Sequence, residues 1–166
     1  MSMTVHDPIA TAAFPSSADT RSAESLEMLA EHSHHFVSQI YSDAKLLVQE
    51  FNRDFTQRTD KPNVDAVSVE AHPGLLRLVT HLRPQIGFEL RLEVEYKRNP
   101  AQLIRTLRQM NPDRSTGPLV LCDAFHFATT DGTVILTRPD TSVMSASAAA
   151  EAILEPLFNR ITDAIS

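Results

Sequence analysis

Residues 88–97 read FELRLEVEYK. Phe88, Leu90, Leu92, Val94 and Tyr96 alternate with Glu89, Arg91, Glu93, Glu95 and Lys97. Successive side chains of a strand point to opposite faces, so this period of two puts one face on a core and the other in water. The stretch predicts a strand over 86–97. Toward the N-terminus, residues 64–71 and 75–82 predict two more strands, closed by His72-Pro73-Gly74 and Arg83-Pro84-Gln85. Links this short leave no room for crossovers, so the pairing is expected to be antiparallel.

On the C-terminal side, Asn99 and Pro100 suit a helix cap and a first helical position. Leu103, Ile104, Leu107 and Met110 follow at helical spacing, which predicts a second helix ending at Asn111-Pro112. Residues 118–129 predict a fourth strand. Asp131-Gly132 suits a tight hairpin turn with positive φ, and 134–137 predict the fifth strand. Ser145 or Ser147 caps a last helix carrying Ile153, Leu157, Ile161 and Ile165, with Pro156 predicting a kink or two shorter helices.

Ahead of the sheet stands a long amphipathic run. Leu26, Leu29, Phe36, Val37, Ile40, Tyr41, Leu47, Val48, Phe51 and Phe55 recur mostly in steps of three and four, which is one stripe of a helix. Ser22 suits its cap, and no Pro or Gly interrupts 22–58. A continuous helix of that span would be about 55 Å long. Either it breaks near Ser33, or its overhang packs on another chain. Residues 1–21 are rich in Ser, Thr, Ala, Asp and Pro and read as a flexible tail, with Phe14 as a possible docking residue. The expectation is therefore an α+β fold: one domain over 22–166, an antiparallel five-stranded sheet, and the order α-β-β-β-α-β-β-α.

At 166 residues the chain is the size of one domain. The net charge of −6 argues against broad nucleic-acid binding, where a basic surface supplies most of the affinity. No apolar run reaches the length of a membrane span. The first residues lack the basic start and apolar stretch of a secretory signal. Cys122, the single cysteine, has no internal partner and reads as a small buried hydrophobe in a reducing compartment. The expected location is cytoplasmic.

No pattern of catalytic residues emerges. There is no nucleophile elbow and no Gly-rich phosphate loop. Glu31, His32, His34 and His35 sit at spacings seen in metal sites, but a site needs ligands converging from other elements, and the later helices offer only Glu151 and Glu155. The cluster reads as a polar, pH-sensitive helix face, and no metal or cofactor is expected. Arg105 and Arg108, neighbours at i, i+3 on the expected second helix, form a basic patch that suits a carboxylate or phosphate, or a solvated face. The strands at 75–82 and 118–129 are apolar on both faces. Such strands must be covered on both sides, and a remainder of exposed apolar surface marks a protein interface. The candidate binding residues are Val67, Val69, Leu76, Leu78, Phe88, Leu90, Arg105 and Arg108.

The order of elements, with Leu103-Ile104-Arg105-Thr106-Leu107 leading to Asn111, the pair of strands around Asp131-Gly132 and the terminal amphipathic helix, resembles the class I type III secretion chaperones of bacterial pathogens. The first helix here is longer than that family's. The resemblance implies a homodimer that binds an unfolded segment of a secreted effector through apolar grooves and strand addition. The leading expectation is thus a non-catalytic protein-binding adaptor or secretion chaperone. Two other readings stand beside it. One is a small enzyme or ligand-binding domain with a pocket between sheet and long helix, lined by His81, His126 and Arg91. The other is a structural subunit using the long helix as a coiled-coil seam.

Overall fold

The computed structural model describes residues 17–59, 66–81, 88–113, 115–138, 140 and 142–165. A helix, α1 (Ser17–Thr59), leads into seven strands: β1 (Val67–His72), β2 (Leu75–Thr80), β3 (Glu89–Arg98), β4 (Ala101–Met110), β5 (Thr116–Thr130), β6 (Thr133–Thr137) and β7 (Val143–Met144). A second helix, α2 (Ala146–Ile165), follows. The strands form one antiparallel meander in sequence order. The α+β class and the antiparallel pairing agree with the sequence reading. The strand count and the order do not.

The main correction concerns residues 101–110, expected as a helix and found as β4, paired along its whole length with β3. Ala101, Leu103, Arg105 and Leu107 lie on the core side, and Gln102, Ile104, Thr106 and Arg108 on the other. The two periods are confounded here because Ile104 and Met110 put apolar residues on the outer face while Arg105 puts a charge on the inner one. Asn99-Pro100 makes the β3–β4 turn, through a cis peptide, instead of capping a helix. The seventh strand is only two residues long and carries no readable period.

α1 runs unbroken for 43 residues. Ser33, where a break was expected, is fully buried, and its hydroxyl bonds the Ala30 carbonyl and the Tyr96 hydroxyl. The helix starts at Ser17, inside the stretch read as tail; residues 1–16, Phe14 among them, lie outside the described residues, as does the expected stop at 83–85. α2 is likewise uninterrupted. Ser145 is its cap, its Oγ accepting the Ala148 N–H at 3.1 Å.

Both helices cover the same face of the sheet. Val37, Ile40, Tyr41, Ala44, Val48 and Phe55 of α1 and Ala149, Ile153, Leu154, Leu157 and Ile161 of α2 share one core with Leu76, Leu78, Leu90, Leu92, Val94, Leu103, Leu107, Phe125 and Leu136. Phe51 stacks on Phe158 with ring centres 4.2 Å apart, joining the helices. Pro156 lacks an N–H, so the Ala152 carbonyl one turn back loses its helical donor. Arg105 supplies one from the sheet, its Nη1 lying 2.6 Å from that oxygen. Asn52 of α1 serves the edge strand, pairing with both the N–H and the C=O of Val67 at 3.0 and 2.9 Å. Asp131 and Gly132 both have positive φ, the tight turn their sequence predicted. Gly117 is required for closeness, since a Cβ there would strike the Gln109 carbonyl.

Candidate functional site

Each strand of an antiparallel sheet shows alternate side chains to its two faces. Because both helices lie on one face, the other is covered by no described element, and none of its apolar residues joins the core cluster. The register lays its side chains out in rows across the strands. One row is Glu70, Arg77, Glu93, Thr106, Cys122. The next is His72, Leu75, Glu95, Ile104, Ala124. A third is Ser68, Val79, Arg91, Arg108, Leu119.

The charges cluster on β1–β4. Arg77 bonds Glu93 at 3.0 Å and lies 3.9 Å from Glu70, and Lys97 meets Glu95 at 2.8 Å. Arg91 lies 4.0 Å from Glu89, and its Nε–H is buried with no acceptor. Arg108 forms no ion pair among the described residues. Beyond β4 the face turns neutral, with Cys122, Ala124, Ile135 and the half-exposed Leu119 following Ile104 of β4. A shallow cleft of about 210 Å³ is lined by Leu75, Glu93, Glu95, Ile104, Thr106 and Arg108.

The sequence-predicted binding residues are divided by the sheet. Val67, Leu76, Leu78 and Leu90 are buried in the core under the helices, and Val69 and Phe88 pack partly against it. Arg105 and Arg108, expected as helical neighbours, point to opposite faces of β4. Arg105 is 4 % exposed, paired with Asp123 through Nε at 2.8 Å and set over the Phe125 ring at 5.0 Å. Arg108 alone of the eight reaches the uncovered face. Cys122 is exposed on that face, not buried, because it pairs with Thr106 in a row that no described element covers. The Arg91–Arg108 pair escaped sequence reasoning. The alternation of 88–97 turns Arg91 outward on its strand, but the helical spacing of 103–110 sets Arg108 on a helix, and only the register brings them together.

The core side offers little chemistry. His126 and Arg91 lie on the uncovered face and His81 is exposed at the end of β2, so these three do not line a pocket under α1. A cavity of about 300 Å³ between α1 and the β1–β2 turn is lined by His34, Tyr41, Lys45 and His72. The Tyr41 hydroxyl there donates to the Val94 carbonyl at 3.0 Å, and burial, then the Glu95 charge, hold it protonated well above its ordinary value. A larger cleft, about 590 Å³, has Leu29, Ala101 and Phe127 among its lining, with Glu27 and Arg98. Among the described residues no three His, Cys, Asp or Glu side chains come together in a metal-binding group, and His32, His34 and His35 are exposed on α1. No described helix is long and apolar enough to cross a membrane. Compared with protein-family models, curated proteins and solved structures, the chain matches none.

Proposed function

We propose that this chain is a non-catalytic protein-binding adaptor that holds a partner segment on the uncovered face of its sheet. The observation that carries this reading is that both helices lie on one side of a seven-stranded sheet, leaving Leu75, Val79, Ile104, Ala124 and Ile135 without a covering element among the described residues. A face of mixed apolar and charged side chains suits a protein interface, whose core is apolar and whose rim is polar. The acidic net charge speaks against a nucleic-acid partner.

Homodimerisation belongs to the same proposal. α1 is 43 residues long, about 65 Å at 1.5 Å per residue, which gives it length to share with a second copy. A cytoplasmic location fits an exposed, unpaired thiol. Service as a secretion chaperone for an effector segment is the specific form of the proposal. Its support is now the surface of the sheet and not the order of elements, since the segment that carried the resemblance, 103–107, is a strand.

Ile104→Glu tests the face directly, because it places a charge at its centre without touching the core. The variant is expected to keep its thermal midpoint and lose capture of the partner from the native host. Leu46→Glu, at an exposed position on α1, should leave capture intact. Light scattering at micromolar concentration checks the dimer. Capture by Ile104→Glu equal to that of the unaltered chain would remove the proposal.

A further inference from the structure

Two like charges face each other on the uncovered surface. Arg91 of β3 and Arg108 of β4 are direct cross-strand partners, which places their Cβ atoms about 5 Å apart. Like charges in that relation repel. Every other cation the register places on β1–β4 of this face already has a carboxylate partner: Arg77 has Glu93, and Lys97 has Glu95. Arg91 has only the 4.0 Å approach of Glu89, and Arg108 has no partner among the described residues. Arg91 is also partly withdrawn from water. Its side chain is 33 % exposed, and its Nε–H is buried without an acceptor. A buried donor left without a partner calls for a physical explanation.

We infer that Arg91 and Arg108 form the anchor for a carboxylate side chain of a bound polypeptide segment. The inference rests on the reading of the uncovered face as the binding surface and names the partner's chemistry there. A carboxylate shared by two guanidinium groups relieves their repulsion and makes charge-assisted hydrogen bonds to both. The surroundings select one negative charge and not two. Glu89 and Glu93 flank Arg91 on its own strand, and Glu93 lines the same cleft as Arg108, so a phosphate dianion meets repulsion that a carboxylate largely escapes. Val79 and Leu119 stand at the two ends of the arginine pair in its row, Leu119 being 50 % exposed. The fitting segment therefore carries an acidic residue flanked by apolar ones.

The test follows the 15N-labelled full chain by NMR, reading the amides of β3–β5 and the Arg91 Nε–H. The probes are acetyl-leucyl-glutamyl-leucinamide, its glutaminyl counterpart and inorganic phosphate. The glutamyl peptide is expected to shift the Arg91 Nε–H and the glutaminyl one to leave it in place. Arg108→Gln should weaken the glutamyl peptide about tenfold, the loss of one charged hydrogen-bonding partner. Arg98→Gln, at the exposed β3–β4 turn, should change nothing. Equal shifts from both peptides, or undiminished binding to Arg108→Gln, overturn the inference. Tighter binding of phosphate at the same resonances overturns the choice of carboxylate. A dimer of the unaltered chain that Arg108→Gln dissociates would give the site to a second copy. Host-partner capture separates the two layers: loss with Ile104→Glu but not with Arg108→Gln sinks the arginine anchor alone, whereas capture indifferent to Ile104→Glu sinks the binding face itself.

Discussion

Arg105 couples a sheet to a helix through a defect in the helix. Pro156 cannot donate to the Ala152 carbonyl, and the guanidinium reaches that oxygen from β4 while its other edge grips Asp123. The Arg105 side chain is 5 % exposed and that of Asp123 is 23 % exposed. Arg105→Met keeps the bulk of the side chain but strands both the carboxylate and the carbonyl. It is expected to destabilise the fold by about 3 kcal/mol, the lower end for breaking a buried pair because Asp123 keeps some access to water. In a Pro156→Ala background the helix supplies its own N–H to Ala152. The same Arg105→Met change should then cost about 1 kcal/mol less, a coupling typical of residues sharing one network. Urea unfolding of the four proteins checks both figures, and strict additivity would show that the proline and the arginine act independently. This pairing was not legible in the sequence. An arginine at position 105 reads as exposed on any period, because burial becomes affordable only with a carboxylate from β5 and a carbonyl freed by a proline some fifty residues later.

At the scale of elements, two hairpins close by the same device. The sequence repeats Pro-Asp-x-Ser at 112–115 and 139–142. Asp113 accepts the Ser115 N–H at 2.9 Å, and Asp140 accepts the Ser142 N–H at 3.1 Å. Each serine hydroxyl donates to the same carboxylate. The carbonyls of Ser115 and Ser142 in turn accept the N–H groups of Asn111 and Arg138. The hydrogen bonds from the serine hydroxyl and then its backbone N–H hold each carboxyl below its ordinary value of 3.8. Because the folded-state value is lowered, the stability these groups contribute is present above the ordinary value and is lost as pH falls through the folded one. The double variant Asp113→Asn, Asp140→Asn keeps the turn geometry but cannot titrate. Its thermal midpoint should fall less than that of the unaltered chain between about pH 6 and about pH 2.5. Equal falls would show that these turns do not contribute to acid sensitivity. The strands flanking them were unequally legible. β3 announces itself because one face is wholly charged and the other wholly apolar. β4 does not, since Leu103, Ile104, Leu107 and Met110 fit a helical stripe as well as a pleat. Only the ladder of bonds to β3 decides between the two, and that is a non-local fact.

For the whole molecule, the decisive asymmetry is that a meander of seven strands receives both helices on the same side. Sequence patterning gave half of this: the clean alternation of β3 already requires one solvated face. It did not give the breadth of that face, because the segment expected as a covering helix became a further strand of the sheet that needs covering. Cys122 lies on that face beside Thr106 in the register, exposed and unpaired, and so reports whether anything covers it. In the isolated chain its alkylation by N-ethylmaleimide is expected to proceed within about tenfold of the rate in the urea-unfolded chain, since an exposed thiol is accessible to the reagent. Mass spectrometry of timed samples reads the rate. Partner capture through the uncovered face should slow it, and slowing that grows with protein concentration would identify the covering surface as a second copy. Dimerisation through α1 predicts no such dependence, because α1 packs on the other face of the sheet. A thiol that reacts only once urea unfolds the chain would mean the face is sealed within the monomer, and a binding role for it would then have no surface to act through.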